Sequence, residues 1–168
     1  AIVALPTYNV EEPRLPLKLN EQRSLFKLFL NDVGLLAYLY SMQFQQQIII
    51  GETNINFGAI FENFAAQELH AHGYTLYYFN SKKQGELDFV VEHDGRILPI
   101  EIKSGKDYKR HNALSNVMAN AEYDIRSAIV FSNGNYEVQG RVDYWPVYML
   151  MYLQPTAFEN PVFVFKPM

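Results

Sequence analysis

A chain of 168 residues is long enough for one domain with an appendage, and its 49% hydrophobic and 15% aromatic content supplies a real core. That composition excludes an intrinsically disordered chain, and the absence of cysteine excludes disulfides, thiol catalysis and cysteine-ligated zinc or iron–sulfur sites. A formal net charge of −4 argues against a static nucleic-acid binder.

No apolar run reaches the roughly 18 residues of a membrane span, and the N-terminus lacks a signal-peptide pattern. The expected location is therefore the cytoplasm, with no membrane partner. In chain order, residues 1–20 carry Pro6, Pro13 and Pro16 and read as an extended connector after a short apolar run at Ile2–Leu5. Residues 25–42 are apolar, with a strand or irregular piece first and Asn31 or Asp32 as the cap of a short helix. Gln43–Gln47 is polar and reads as a loop. Gly58–His72 is the clearest helix, with an apolar stripe of Ile60, Phe61, Phe64, Ala65 and Leu69, and Gly73 closes it.

Thr75–Phe79 follows as a strand, and Ser81–Gly85 as a loop. Two alternating runs then flank Asp94-Gly95, a strong two-residue hairpin signal. In that register His93 faces Arg96, Asp88 faces Glu101 and Glu86 faces Lys103. Leu87, Phe89 and Val91 with Leu98, Ile100 and Ile102 form the core face. Pro99 lacks an N–H, so its outer side is expected at an edge or a bulge.

Beyond the hairpin, His111–Ala121 is weakly helical, Ala128–Phe131 is a strand and Asn133–Asn135 a turn. Tyr136–Val138 and Val142–Trp145 look extended, Val147–Leu153 is a closing helix, and Phe158–Phe165 is an apolar tail fit to add a strand. The succession predicts an α/β fold with a mixed central sheet and flanking helices.

Asp88 opposite Glu101 carries the chemistry. Like charges facing each other across a non-hydrogen-bonded pair destabilise a sheet unless something offsets them. A hard divalent ion such as Mg²⁺ would do so through carboxylate oxygens. The competing reading is a solvated hairpin face. Glu62 borders the buried stripe of its helix and reads either as a third acid of this site or as a partner of the helix dipole. Lys106, Lys109 and Arg110 follow the hairpin and Lys82 and Lys83 precede it, as phosphate contacts or as solvated faces. His70 and His72 point to different helix faces, His93 lies beside the turn, and Ser104 has no histidine placed to activate it.

A helix with Glu62, a strand with Asp88 and a following strand with Glu101-x-Lys103 resembles the PD-(D/E)XK, restriction-endonuclease-like nucleases, although Leu87 stands where their proline often is. Four segments together are similar to a domain-of-unknown-function family found C-terminal to bacterial and archaeal AAA-type ATPases. They are Phe26–Leu36, Gly58-x-x-Phe61-Glu62-Asn63, Gly85–Val91 and Pro99–Gly105. The resemblance implies a restriction-endonuclease-like core at 51–153 and an N-terminal appendage at 1–50 leading from an ATPase half, with a tail at 154–168. It also implies catalytic Glu62, Asp88, Glu101 and Lys103, with Mg²⁺ or Mn²⁺ on Asp88, Glu101 and Glu62, and DNA as substrate. No Walker site belongs to this chain: Gly105-Lys106 has Ile100 where the first glycine is needed and Asp107 where Ser or Thr is needed. The alternatives are a non-catalytic module binding nucleic acid or a protein partner of the ATPase, and an oligomerisation domain drawing on the 12 Tyr and 12 Phe.

Overall fold

The computed structural model describes residues 3–51 and 56–156. Eight strands form one mixed sheet: β1 (Ala4–Val10), β2 (Glu21–Leu30), β3 (Tyr77–Ser81), β4 (Gly85–His93), β5 (Arg96–Lys103), β6 (Ala128–Ser132), β7 (Glu137–Gln139) and β8 (Val142–Pro146). Their order across the sheet is β2-β1-β3-β4-β5-β6-β8-β7. The α/β mixed-sheet class expected from the sequence is what the chain adopts. The segment read as an extended connector contains β1, and the piece read as strand or irregular at the start of 25–42 is the second half of β2, so both join the central sheet. The connector's prolines sit at Pro6, ahead of the β1 ladder with β3 that begins at Tyr8, and in the β1–β2 connection, where missing donors cost little.

Four helices accompany the sheet: α1 (Val33–Leu39), α2 (Met42–Ile49), α3 (Gly58–Ala71) and α4 (Asn112–Ala119). Asp32 caps α1, its Oδ1 accepting from the Gly34 and Leu35 N–H groups at 2.7 and 3.1 Å. The glutamine-rich segment read as a loop is α2, and its start is signalled by Ser41, whose Oγ accepts from the Phe44 N–H. Gly73 ends α3 with φ +86°, the left-handed position where glycine is favoured. The closing segment Val147–Tyr152 is a 3-10 helix. The added strand expected at Phe158–Phe165 lies outside the described residues.

Helices cover both faces. Against α3 pack Leu5, Phe29, Phe89, Val91, Leu98, Ile100, Ile102 and Phe131, and against α4 pack Val10, Phe79, Leu87, Val90, Ile97 and Val130. Complete burial of Phe89, Ile100 and Phe131 contributes about 1.5–3 kcal/mol each. Asp94 and Gly95 have φ of +49° and +73°, as a type I′ turn requires, and the hairpin takes the expected register from His93↔Arg96 to Phe89↔Ile100.

One hairpin expectation is corrected here and another is met. Leu87 does not share a face with Phe89, because a bulge sets Asp88 and Phe89 together against Tyr78 and turns Leu87 toward α4. Pro99 has the open outer side expected of it: it pairs with Val90 of β4, and the β5 ladder with β6 begins only at Ile100, so no donor is missed there.

Asn63 of α3, buried at 2% exposure, clamps the end of β2: its Oδ1 accepts from the Leu30 N–H at 2.7 Å and its Nδ2 donates to the Leu30 carbonyl at 2.9 Å. Asn63→Ala leaves both backbone groups without these partners, at an expected cost of about 2–3 kcal/mol, or roughly 4–12 °C in Tm. Thermal melting checks this. A loss below about 1 °C would mean that water replaces the clamp.

Candidate active site

The bulge that redirects Leu87 also shapes the site. The β4–β5 ladder stops at Phe89↔Ile100, and β4 bends away toward β3. In the opening, the Asp88 side chain takes the place of a strand carbonyl: its Oδ2 accepts from the Ile102 N–H at 2.7 Å. Asp88 is thereby fixed beside Glu101, within hydrogen-bonding reach of its carboxyl group. The two residues read as a facing pair stand close together, although the ladder itself stops one pair short of them.

Glu101 is 3% exposed. Burial first, and then the Asp88 charge, push its carboxyl up to about 8, against the opposing pull of Lys103. Lys103 Nζ stands 3.1 Å from Glu101 Oε2. Burial lowers the Lys103 amine, but the charges of Glu101, Asp88 and Glu62 outweigh it, so the amine is raised and stays an ammonium at neutral pH. Glu62 reaches the same place from α3. Its carboxyl is raised by burial and by Asp88, with Lys27 and Lys103 acting in the other direction.

Glu86 does not face Lys103, as the hairpin register had implied. It lies past the bulge, where it pairs with Lys27 of β2 and accepts from Asn80 Nδ2 at 2.8 Å. Lys27 is a group of this site that the sequence reading left out. His111 lies nearby: burial first, and then the Lys103 charge, lower its imidazole from the ordinary value, and its Nε2 is 2.6 Å from Tyr144 Oη.

The expected phosphate contacts share the end of the sheet where β5 finishes and β4 begins. Lys106, Lys109 and Arg110 line a cleft of about 550 Å³ with Asp107 and Tyr108. Within it, Lys109 is tied to Glu137 at 2.6 Å and stands 5.8 Å from the Tyr144 ring centre. Lys82 and Lys83 are exposed in the β3–β4 turn.

Among the described residues, no three His, Asp or Glu side chains stand close enough together to hold a metal ion between them. The donor set is therefore the Asp88–Glu101 pair, with Glu62 standing off. This pair fits a hard divalent ion: its donors are carboxylate oxygens, it is repulsive without a cation, and Mg²⁺ commonly keeps its waters while binding one or two carboxylates.

A protein-family model, a domain of unknown function (DUF4143), matches residues 57–150. This span includes Glu62, Asp88, Glu101, Lys103 and the basic loop. No curated protein matches the chain, and no solved structure does.

Proposed function

The chain belongs to DUF4143, a domain family of unknown function, and we propose from its site that it hydrolyses DNA phosphodiester bonds with Mg²⁺ or Mn²⁺, as the C-terminal domain of an AAA-type ATPase. One observation carries this reading. Two carboxyl groups share an opening between β4 and β5, one of them pushed up to about 8, with an ammonium 3.1 Å away. Structural ion pairs also perturb carboxylates, but a solvated hairpin face does not bury Glu101 to 3% exposure beside a second acid.

Asp88 and Glu101 would hold the ion, and Glu62 would support it through water. The ion would supply Lewis acidity toward a phosphoryl oxygen and offset the charge that develops there. The chain's own groups do the rest. Asp88, held by the Ile102 N–H, keeps the pair in register. Lys103, remaining an ammonium, donates toward the attacking water or a phosphate oxygen and does not take its proton. Lys106 and Arg110 contact flanking phosphates, an affinity that falls as salt rises.

The test is a calorimetric titration of Mn²⁺ into the chain at about pH 8, followed by incubation with labelled single- and double-stranded DNA. Saturable binding and ion-dependent fragments are expected. Neither binding nor fragments, with nucleic acid present, would sink the reading.

A second reading has its own observation. Tyr38 and Leu39 of α1, and Met42, Ile49 and Ile50 on and beside α2, are all largely exposed. Such apolar exposure marks interaction surfaces. In this reading the domain is a non-catalytic module whose α1–α2 pair docks the ATPase half. No helix among the described residues is long and apolar enough to cross a membrane.

A further inference from the structure

Lys27 lies on β2, at the outer side of the sheet, yet its ammonium is found over β3 and β4. The order β2-β1-β3-β4 means that the side chains of Lys27 and Glu86 bridge across β1 and β3 to meet. On the way the ammonium stands 5.0 Å from the centre of the Tyr78 ring. It feels the charges of Glu62 and Asp88 as well as that of Glu86. Lys103 approaches the same two acids from β5. Two ammonium groups thus act on Asp88 and Glu62, one from each half of the sheet.

Stability alone is a poor reason for this reach. Ion pairs that remain partly exposed add little to stability, and here the side chains keep 27% and 41% of their surface open. The same exposure leaves the pair accessible to a ligand. Glu86 is a holder that can be exchanged: it is exposed, and Asn80 Nδ2 also binds it at 2.8 Å, so it keeps a partner when the ammonium leaves.

We propose that Lys27 is the second phosphate-binding amine of this site, held on Glu86 until a nucleic-acid strand occupies the opening between β4 and β5. The inference rests on the nuclease reading of the same site and adds a residue from outside the hairpin to it. Lys103 is engaged with Glu101 at 3.1 Å, so the amine that can move to a phosphate oxygen is the one whose counter-ion lies at the rim. A phosphate so bound would sit between the two amines and above the carboxyl pair. That geometry would orient the backbone for hydrolysis without any base contact.

Two substitutions break the same ion pair and separate the possibilities. Lys27→Met keeps the aliphatic stem over Tyr78 and removes the charge, whereas Glu86→Gln keeps the Asn80 contact and releases the amine. Binding of a fluorescein-labelled DNA oligonucleotide is followed by anisotropy in calcium, at two salt concentrations. Lys27→Met is expected to weaken binding about 3–10-fold and to lower the salt slope by about one. Glu86→Gln is expected to tighten it, and that gain should vanish in the double variant.

If both single variants shift affinity in the same direction, or neither does while the parent binds, Lys27 is a counter-ion to Glu86 and the proposal fails alone. If the parent binds no DNA and cleaves none, the nuclease reading fails with it.

Discussion

Asp88→Asn is expected to abolish saturable Mn²⁺ binding and, without metal, to make the chain more stable in mild alkali than its parent. The asparagine Oδ1 still accepts from the Ile102 N–H, so the opening between β4 and β5 keeps its shape. What disappears is a negative charge beside Glu101. The sign follows from Glu101, whose carboxyl is raised in the folded chain to about 8 from an ordinary 4.5. The folded state therefore holds a proton that the unfolded chain releases across this window. Stability from this group is fully present below about pH 4.5 and is lost as pH rises through about 8. Removing the Asp88 charge shrinks the shift, although the part due to burial remains. Each pK unit of relief would be worth about 1.4 kcal/mol, or roughly 3–5 °C in Tm at this chain length. Near pH 5 the advantage should disappear, because Glu101 is then protonated in the parent and accepts the neighbouring carboxylate. Melting curves in EDTA at the two pH values check the sign. Adding Mn²⁺ to about a hundred times Kd should stabilise the parent by about 2.7 kcal/mol and leave the variant unchanged. Equal stabilisation of both chains would place the ion away from Asp88.

The carboxyl pair was legible in the sequence because its determinants are local. Asp94-Gly95 demands positive φ at both turn positions, the flanks alternate, and together these fix the register as far as Phe89↔Ile100, one step from Asp88 and Glu101. The same arithmetic failed at Glu86 because it assumes an unbroken ladder. The bulge at Asp88 and Phe89 is imposed by pairing with β3, which no pattern inside the hairpin records. Glu86 then finds Lys27, 59 residues earlier, rather than Lys103. Asn63 shows a related limit: it stands inside the recognised helix motif, but its value lies in clamping Leu30, a contact between distant segments. The helix α2 was missed for a different reason. Its apolar residues recur at helical spacing, but its run of glutamines reads as a loop, and the signal of its start, Ser41, stands outside that run. Helix and strand identities followed from period and turn chemistry, whereas the second amine and His111 depend on which strands become neighbours.

Lys103→Ala is expected to separate ion binding from cleavage. The substitution removes no oxygen donor, so Mn²⁺ should still saturate the Asp88–Glu101 pair. Lys103 lowers the Glu101 carboxyl, and without it the proton is held more firmly. Ion affinity in the variant should therefore fall more steeply than in the parent as pH drops below about 8, and match it within about tenfold above that value. Cleavage should respond differently. A preorganised cationic donor aimed at a reacting phosphate contributes about 10²–10³-fold to the rate, and among the described residues Lys103 is the one ammonium paired with Glu101. The expected result is normal Mn²⁺ saturation at about pH 8.5 with cleavage reduced at least about 100-fold. Lys103→Arg serves as the control that keeps the charge: a guanidinium restores the field but not the compact ammonium geometry, so partial recovery is expected. Full cleavage by the alanine variant would reduce Lys103 to a counter-ion for Glu101, and would leave Lys27 as the amine on which phosphate binding depends.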